Sequence, residues 1–283
     1  MTAKAAVVGW PIQHSLSPVL HGHWLKEYGI DGSYEKIAIE PGTFAQRIND
    51  LREAGYRGVN VTVPYKEEAF ALADYNDDAA RATGATNLLI FRERGVEGRN
   101  TDAFGLAASL RENIGTLEDG KVVLLGAGGA ARGAVLAMSM LGAGIVYVLN
   151  RSSERAERLI QSLMDSKAIF GAGVISARLD GFSHFAAEAA LLVNTTSAGM
   201  KGNPPLDIDL LALNPQAAVC DIVYNPLMTP LLKDAEARGH RTIDGLGMLM
   251  HQAVPSFEAF FGVRPAVTPG LRAALEKVLR ERA

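Results

Sequence analysis

Short apolar runs alternate with longer amphipathic stretches along most of this chain. The apolar runs are too short for helices and rich in β-branched residues, as at residues 122–125, which is typical of buried strands in a parallel sheet. Several of the longer stretches begin at a proline and end before a glycine, the usual signals of helix start and stop. Strands and helices in alternation predict an α/β fold with largely parallel sheets.

The same pattern locates the individual elements. Strands are predicted at residues 3–9, 33–39, 57–63, 122–125, 145–149, 174–177, 191–194 and 217–223. A hairpin at a sheet edge is predicted from residues 88–91 and a short partner near Val96. Helices are predicted at residues 18–28, 41–54, 65–72, 76–83, 103–113, 133–138, 228–238, 244–261 and 269–282. The pattern indicates two α/β domains joined by the helix at 103–113, and a cleft between two such domains is a natural reaction site.

Two helix starts carry polar residues of interest. Ser17 and Pro18 form a strong start, with Ser17 at the N-cap and Pro18 at the first helical position. Pro64 is predicted to open another helix in the same way, which puts Lys66 in the first turn. The helix dipole is positive there and favours a neutral amine that can act as acid or base. The alternative is a surface lysine paired with a neighbouring glutamate.

A βαβ unit of about thirty residues follows in the second half. Between the strands at 122–125 and 145–149 lies a G-x-G-x-x-A motif formed by Gly126, Gly128 and Ala131. Gly126 permits a sharp turn, Gly128 removes the side chain where a pyrophosphate would approach, and Ala131 lets the helix pack closely on the sheet. The unit predicts a dinucleotide site at the helix N-terminus, whereas the alternative is an ordinary glycine turn.

The residues after the second strand of this unit indicate which dinucleotide is bound. An NAD-binding unit usually has an acid there, but none follows the strand directly in this chain. Arg151 and Arg155 are four residues apart, so on one helical face they would clamp a 2′-phosphate. The alternative is a solvated helix start, and we accept that interpretation for Glu154, Glu157 and Arg158.

Composition narrows the class of protein. With 283 residues and nearly half of them apolar, the chain suits one large or two moderate domains. Its net charge of −3 argues against a protein that binds nucleic acid or a membrane surface. The single cysteine, Cys220, lies in an apolar run and is expected to be a buried hydrophobe. One cysteine excludes an intrachain disulfide, and no secretory signal or membrane span is evident, so we expect a cytoplasmic protein.

Other residues have a structural interpretation beside the functional one. Asp102 lies in the first turn of its predicted helix, where an anion is favoured without any further role. Ser15 and Ser17 together would make a site for a carboxylate, and helix capping alone would explain Ser17 but not Ser15. The six histidines have no metal-binding spacing, and the chain lacks a G-x-S-x-G nucleophile motif. We therefore predict no metal site.

Taken together, nine motifs occur in the order of a known family. They are residues 15–18 (Ser-Leu-Ser-Pro), 60–66, 84–87, 100–102, 126–130, 150–152, 194–200, 221–226 and 244–252. On these motifs the chain resembles the biosynthetic, NADP-dependent shikimate dehydrogenases over nearly its whole length. It departs from the family pattern at Thr86, where valine is usual, and at Ala103, where glycine is common. Both are small residues, so they bear on substrate preference more than on the chemistry.

The resemblance implies a role for many of these residues. Lys66 is the implied catalytic lysine and Asp102 its partner carboxylate. Contacts to the substrate are implied for Ser15, Ser17, Thr62, Lys66, Asn87, Asp102, Tyr224 and Gln252. Contacts to NADP are implied for Asp78, Gly126, Ala127, Gly128, Gly129, Ala130, Asn150, Arg151, Ser152, Arg155, Ile222 and Gly245.

The family also implies an architecture and a reaction. A discontinuous substrate-binding domain of residues 1–103 plus 243–283 and a Rossmann-like NADP-binding domain of residues 104–242 are expected, in a monomer or homodimer. The implied reaction is reversible NADPH-dependent reduction of 3-dehydroshikimate to shikimate, in the biosynthesis of chorismate and aromatic amino acids. Two rival functions are an NAD-dependent quinate/shikimate dehydrogenase and a non-catalytic nucleotide-binding regulator. The second should have lost Lys66 or Asp102, and both are present.

Overall fold

A computed structural model describes residues 2–166 and 171–282, which form two compact units. The first unit comprises Met1–Thr101 and Gln252–Arg282, and the second comprises Asp102–His251. Each contains one six-stranded sheet, as expected for an α/β protein. The division on the C-terminal side falls inside a helix, between His251 and Gln252.

The sheet of the first unit is mixed. Its strands are β1 (Ala3–Gly9), β2 (Gly32–Ala38), β3 (Tyr56–Val61), β4 (Tyr75–Asn76), β5 (Leu88–Arg92) and β6 (Gly95–Arg99), in the spatial order β2-β1-β3-β5-β6-β4. The pairs β1–β2, β1–β3 and β4–β6 are parallel, whereas β5 runs antiparallel to both β3 and β6. The helices are α1 (Ser17–Glu27), α2 (Phe44–Glu53), α3 (Lys66–Leu72), α4 (Asp78–Thr83), the end of α10 (Gly245–Phe261) and α11 (Pro269–Glu281).

The predicted hairpin exists, but its position at the sheet edge was wrong. The two-residue strand β4 pairs with β6 outside the hairpin. The side chain of Asp74 accepts the main-chain N–H of Val96 at 2.7 Å, and the N–H of Asp74 donates to the carbonyl of Val96 at 2.9 Å. Such a short strand has no hydrophobic pattern of its own, so the pairing depends on this tertiary contact.

Two predicted helix starts also differ from the structure. Ser17 is the first residue of α1 rather than its N-cap, which is Leu16. The side chain of Ser15 accepts the N–H of Ser17 at 3.3 Å. Ser17 therefore does not cap the helix, and Ser15 makes a local hydrogen bond just before it, contrary to our expectation. Pro64 precedes α3, which begins at Lys66 with Tyr65 at the N-cap. Lys66 remains in the first turn.

The C-terminal helices complete the first unit by packing on α1. The indole N–H of Trp24 donates to the carbonyl of Ala266 at 2.9 Å. His21 is buried beside Trp24 and Phe257 and stacks on Tyr34 with ring centroids 3.8 Å apart. Its Nδ1 atom has no hydrogen-bond partner within the part of the chain that the structure describes. Burial lowers the pKa of His21 from 6.5 to about 3, so the fold requires the neutral ring.

The sheet of the second unit is entirely parallel, as predicted. Its strands are β7 (Lys121–Leu125), β8 (Ile145–Asn150), β9 (Gly173–Arg178), β10 (Ala189–Asn194), β11 (Ala218–Asp221) and β12 (Thr242–Ile243), in the order β12-β11-β10-β7-β8-β9. The helices are α5 (Asp102–Ile114), α6 (Gly129–Met140), α7 (Ser153–Asp165), α8 (Phe182–Ala186), α9 (Pro230–Ala237) and the start of α10. This is the doubly wound order, and it reverses between the neighbours β7 and β10.

Strand β11 and helix α9 are both shorter than predicted. β11 ends at Asp221 because the carboxylate of that residue accepts the N–H of Val223 at 3.0 Å and turns the chain out of the sheet. α9 begins at Pro230, with the hydroxyl of Thr229 accepting the N–H of Leu232 as N-cap. Within the described residues, no helix is long and apolar enough to cross a membrane.

We predict that His21 limits stability in acid. Its folded pKa lies below its unfolded pKa, so its contribution is complete above about pH 6.5 and is lost as the pH falls towards 3. At pH 4 the loss amounts to roughly 3 kcal/mol of unfolding free energy. His21→Phe should keep the ring stack and lose less stability between pH 7.5 and pH 4 in urea titrations.

His23→Gln is the matched control, because His23 lies on the same helix and is partly exposed. An equal acid loss in His21→Phe and His23→Gln would contradict the assignment.

Candidate active site

Most predicted substrate residues of the first unit gather along one edge of its sheet. β1 and β3 are parallel, so the loop with Ser15 and the turn with Thr62 and Lys66 leave from the same edge. β5 is antiparallel to β3, so Asn87 enters its strand at that edge. β6 ends there too and leads into Thr101. The topology thus assembles polar side chains that are far apart in the sequence.

Close packing fixes the turn before Lys66. A Cβ atom at Gly9 would lie 2.6 Å from Cγ2 of Thr62 and 3.0 Å from the carbonyl oxygen of Val63, so only glycine fits there. The carbonyl of Lys66 accepts the N–H of Thr86 at 2.8 Å. The first turn of α3 is therefore tied to two neighbouring segments, and Lys66 itself is half-buried.

A buried hydrogen-bond network connects Ser17 to the interior of the first unit. The side chain of Ser17 bonds to the hydroxyl of Tyr34, which donates to Oδ1 of Asn60 at 2.7 Å. Burial raises the pKa of Tyr34 well above its usual value, against the opposing effect of the Ser17 hydrogen bond. Tyr34 is therefore a neutral hydroxyl that links Ser17 to the centre of the sheet.

The network continues to the other end of the same site. Nδ2 of Asn60 donates to the carbonyl of Asn87 at 3.2 Å and to the hydroxyl of Ser256 at 2.7 Å. The N–H of Thr101 donates to Oδ1 of Asn87 at 2.9 Å, and the hydroxyl of Thr101 lies 3.4 Å from Oε1 of Gln252. Ser17, Asn87 and Gln252 thus belong to one connected set of polar groups.

Sequence reasoning missed Tyr34, Asn60, Thr101 and Ser256 as parts of this network. Their partners lie up to 196 positions away along the chain. The one local signal is a polar residue, Asn60, within the otherwise apolar end of β3.

The predicted cofactor residues of the second unit lie where its parallel strands end. Gly126 follows β7 at the reversal of strand order, Arg151 follows β8, Ile222 follows β11 and Gly245 follows β12. In doubly wound folds this carboxyl-terminal edge is where ligands bind. Tyr224 lies two residues beyond Ile222, and Asp102 is the first residue of α5.

Three of the glycines at this edge meet different surroundings. Gly126 has a φ of +106°, and a Cβ there would lie 2.8 Å from Cγ2 of Thr196. A Cβ at Gly245 would lie 2.1 Å from the carbonyl oxygen of Ile222. A Cβ at Gly128, the N-cap of α6, would meet no atom within 4 Å. Gly126 and Gly245 are required by the fold, whereas Gly128 borders open space.

The residues after β8 differ in part from our prediction. α7 begins at Ser153 with Ser152 at the N-cap, so Arg151 precedes the helix and shares no helical face with Arg155. The side chain of Asn150 donates to the carbonyl of Ser152 at 3.0 Å and holds this turn. Both arginines are exposed. A local side-chain bond, rather than helical periodicity, therefore places Arg151.

Asp78 lies in the first unit, at the first position of α4. Its side chain is almost fully exposed and pairs with Arg81. Ala127 is half-buried in the turn before α6, and Gly129 and Ala130 are the first two residues of that helix.

A second buried network supports the turns that carry Ile222 and Tyr224. The carboxylate of Asp221 accepts hydrogen bonds from the side chain of Asn194 at 3.0 Å and from the hydroxyl of Thr229 at 2.7 Å. Burial raises the pKa of Asp221, while these hydrogen bonds act in the opposite direction. Sequence reasoning had Asp221 and Asn194 only as motif positions.

Cys220 is buried, as expected, and burial raises the pKa of its thiol far above the usual range. No group of three His, Cys, Asp or Glu side chains among the described residues could hold a metal ion.

A cavity of about 450 Å³ lies at the opposite, amino-terminal edge of the second sheet, beside Leu117, Ala190 and Arg241. The predicted site residues do not line it.

We predict that Gly126 and Gly128 separate stability from ligand binding. Gly126→Ala should lower the unfolding free energy by about 1–3 kcal/mol, because alanine is strained at this φ and contacts Thr196. Gly128→Ala should change stability by less than about 1 kcal/mol but weaken dinucleotide binding, because its methyl group enters the space a phosphate needs. Urea unfolding and dinucleotide titration test both; a Gly128→Ala protein with unaltered affinity would contradict the site.

Two family models match the chain. The shikimate dehydrogenase substrate binding domain matches residues 7–89, and shikimate / quinate 5-dehydrogenase matches residues 108–199. The shikimate dehydrogenase (NADP(+)) of Mesorhizobium japonicum is 48% identical over 275 residues, which cover 97% of this chain and 96% of that protein.

Solved structures agree over the whole length. Shikimate 5-dehydrogenase from Thermus thermophilus, in complex with NADP(H) and shikimate, is 32% identical with a TM-score of 0.84, and the match covers 99% of this chain and 100% of that one. Quinate dehydrogenase from Corynebacterium glutamicum, in complex with NAD, is 27% identical with a TM-score of 0.88 and 99% coverage of both chains. The family models, the sequence identity and the two sheet architectures together show that this chain belongs to the shikimate dehydrogenase family.

Proposed function

We propose that this protein is an NADP-dependent oxidoreductase that interconverts 3-dehydroshikimate and shikimate. The observation that carries the proposal is the pairing of two features in one chain. A glycine turn stands at the strand-order reversal of the second sheet, and a cluster of hydroxyl, amide and amine side chains stands at one edge of the first. The relatives at nearly half identity are NADP-dependent shikimate dehydrogenases.

The second unit suits the cofactor. The N-terminus of α6 and the open space at Gly128 fit a pyrophosphate. The turn from residue 126 to Ala130, the Asn150–Ser152 segment with Arg155, and the residues Ile222 and Gly245 would hold the rest. When bound, NADPH supplies the hydride that the carbonyl carbon of the ring receives. We hold Asp78 as a further cofactor contact on the resemblance alone.

The first unit suits the substrate. Ser15 and Ser17 bind its carboxylate, and Thr62, Asn87 and Gln252 bind oxygen atoms of the ring. Because the hydroxyl of Ser17 is already bonded to Tyr34, a carboxylate has to compete for its proton, and the charge of the carboxylate favours that exchange. We assign Tyr224 and Asp102, both half-buried, to the same ligand from the second unit.

Lys66 transfers the proton. As the ring carbonyl is reduced, negative charge grows on its oxygen, and the ammonium of Lys66 stabilises that charge and protonates the oxygen. In the reverse direction the neutral amine takes the proton of the hydroxyl. Asp102 orients the lysine and the substrate hydroxyl. Such positioning contributes up to roughly 7–11 kcal/mol to a reaction of two bound groups.

The alternative within the family is quinate oxidation with NAD, as in the Corynebacterium glutamicum relative. Ser152 and Ser153 follow Arg151 here, where an acid would favour NAD. We further propose a cytoplasmic enzyme, since its one thiol is buried and unpaired.

Absorbance at 340 nm tests the proposed function. Shikimate with NADP should give the largest kcat/KM, and quinate with NADP or shikimate with NAD should be poorer. Quinate with NAD as the best pair would overturn the substrate and cofactor assignment. An absence of turnover with every pair would favour the non-catalytic regulator.

We predict that Lys66→Ala lowers kcat by roughly 10²–10⁴-fold while substrate affinity changes little, because proton transfer is lost and the binding contacts remain. Glu67→Gln is the control, since Glu67 is the next residue of the same helical turn and is exposed. Steady-state kinetics and shikimate binding measure the two quantities. A kcat within a few-fold of wild type would remove Lys66 from this role.

We predict that Arg151→Ala raises the KM for NADP roughly tenfold or more and leaves the KM for NAD nearly unchanged, because a charged hydrogen bond to the 2′-phosphate is lost. Arg158→Ala is the control, as an exposed arginine further along α7. Equal losses with NADP and NAD would argue against a 2′-phosphate clamp.

A further inference from the structure

Thr101 lies at the centre of the contacts that orient two proposed substrate residues. It is buried, with 4% of its surface exposed, and so is Asn87. Its main-chain N–H donates to Oδ1 of Asn87 at 2.9 Å, and its hydroxyl lies 3.0 Å from Nδ2 of Asn87 and 3.4 Å from Oε1 of Gln252. No substrate or cofactor role is assigned to Thr101 by the motifs.

These contacts fix which way the amide of Asn87 faces. A main-chain N–H can only donate, so the atom of Asn87 that meets it has to be the oxygen. Nδ2 is then the atom that faces the hydroxyl of Thr101. The main chain of Asn87 is held separately, because its carbonyl accepts the N–H of Val61 at 2.9 Å and the side-chain amide of Asn60 at 3.2 Å.

The hydroxyl of Thr101 also contacts the side chain of Gln252. It accepts from Nδ2 of Asn87, so its own proton is directed to an acceptor. Two amide oxygens of the described residues lie near it, Oδ1 of Asn87 at 3.3 Å and Oε1 of Gln252 at 3.4 Å. In the structure, Gln252 places its side-chain oxygen next to the hydroxyl of Thr101.

We propose that Thr101 is a positioning residue that orients Asn87 and Gln252 in the substrate site. Its N–H holds the amide oxygen of Asn87, and its hydroxyl lies within hydrogen-bond distance of the side chains of both Asn87 and Gln252, so Thr101 fixes how these two amides are turned. This inference rests on the proposed function, because it takes Asn87 and Gln252 as substrate contacts.

Removal of the Thr101 hydroxyl should disturb the orientation of Asn87 and Gln252 without altering the cofactor site. In Thr101→Val the side chain keeps its shape but neither accepts from Asn87 nor donates to Gln252. The KM for shikimate and its dissociation constant from the free enzyme should rise roughly fivefold to tenfold, the effect of one net hydrogen bond. The KM for NADP should stay within twofold, and Thr101→Ser should restore shikimate binding to within twofold of wild type.

Thr83→Val is the matched control for loss of a buried hydroxyl. Thr83 has 2% of its surface exposed, donates to the carbonyl of Ala79 at 2.8 Å and accepts from the side chain of Asn100 at 3.0 Å. Thr83→Val should therefore lose stability comparably and leave shikimate binding within twofold of wild type.

The outcomes divide cleanly. A selective loss of shikimate affinity in Thr101→Val, absent in Thr83→Val and reversed in Thr101→Ser, supports the proposal. Equal effects of Thr101→Val and Thr83→Val, equal loss of shikimate and NADP affinity, or no rescue by serine would each overturn it. If Thr101→Val does not fold, Thr101→Ala provides the same comparison, because it lacks the hydroxyl and adds no bulk.

Failure of this inference is distinguishable from failure of the proposed function. A wild-type protein that does not oxidise shikimate with NADP refutes the function itself. A wild-type protein that is active, with a Thr101→Val variant that binds shikimate normally, refutes only the role of Thr101.

Discussion

Where a strand leaves a sheet, its main-chain N–H and C=O groups lose their ladder partners, and a buried group without a partner is costly. Buried polar side chains supply the missing partners at the functional edge of each sheet. In the second unit, Asp221 and Asn194 bond to each other and to the turns that follow β10 and β11. In the first unit, the side chain of Asn60 donates to the carbonyl of Asn87, and the side chain of Asn87 accepts the N–H of Thr101. These side chains shape the backbone of the site, and the residues proposed for chemistry stand on that backbone.

The carboxyl-terminal edge of the second sheet combines tightly packed glycine positions with one that borders open space. Gly126 and Gly245 stand where another chain segment comes so close that a methyl group would not fit. Gly128 stands two residues beyond Gly126, where nothing fills the space that a Cβ would take. A rigid base with an open N-terminal turn of α6 is what phosphate binding by main-chain N–H groups requires. The proposed cofactor site thus follows from the contrast between neighbouring glycines of one motif.

Much of the fold could be predicted because its signals are local. The apolar run at residues 122–125 and the glycines after it define the nucleotide unit without any knowledge of their neighbours. Positions set by tertiary contacts could not be predicted in this way. Arg151 was placed on a helix by its spacing from Arg155, but a side-chain bond of Asn150 keeps it outside. The role that we propose for Thr101 could not be predicted from the sequence, because it depends on a contact with Gln252, 151 positions away.

Hydride transfer to the ring is the central claim, and isotope transfer tests it most directly. The protein is mixed with 3-dehydroshikimate and NADPH carrying deuterium at both positions of nicotinamide C4, and the product is examined by mass spectrometry and proton NMR. We expect shikimate with one deuterium on the carbon that was the ring carbonyl. Shikimate formed without deuterium, or no shikimate at all, would contradict the assignment.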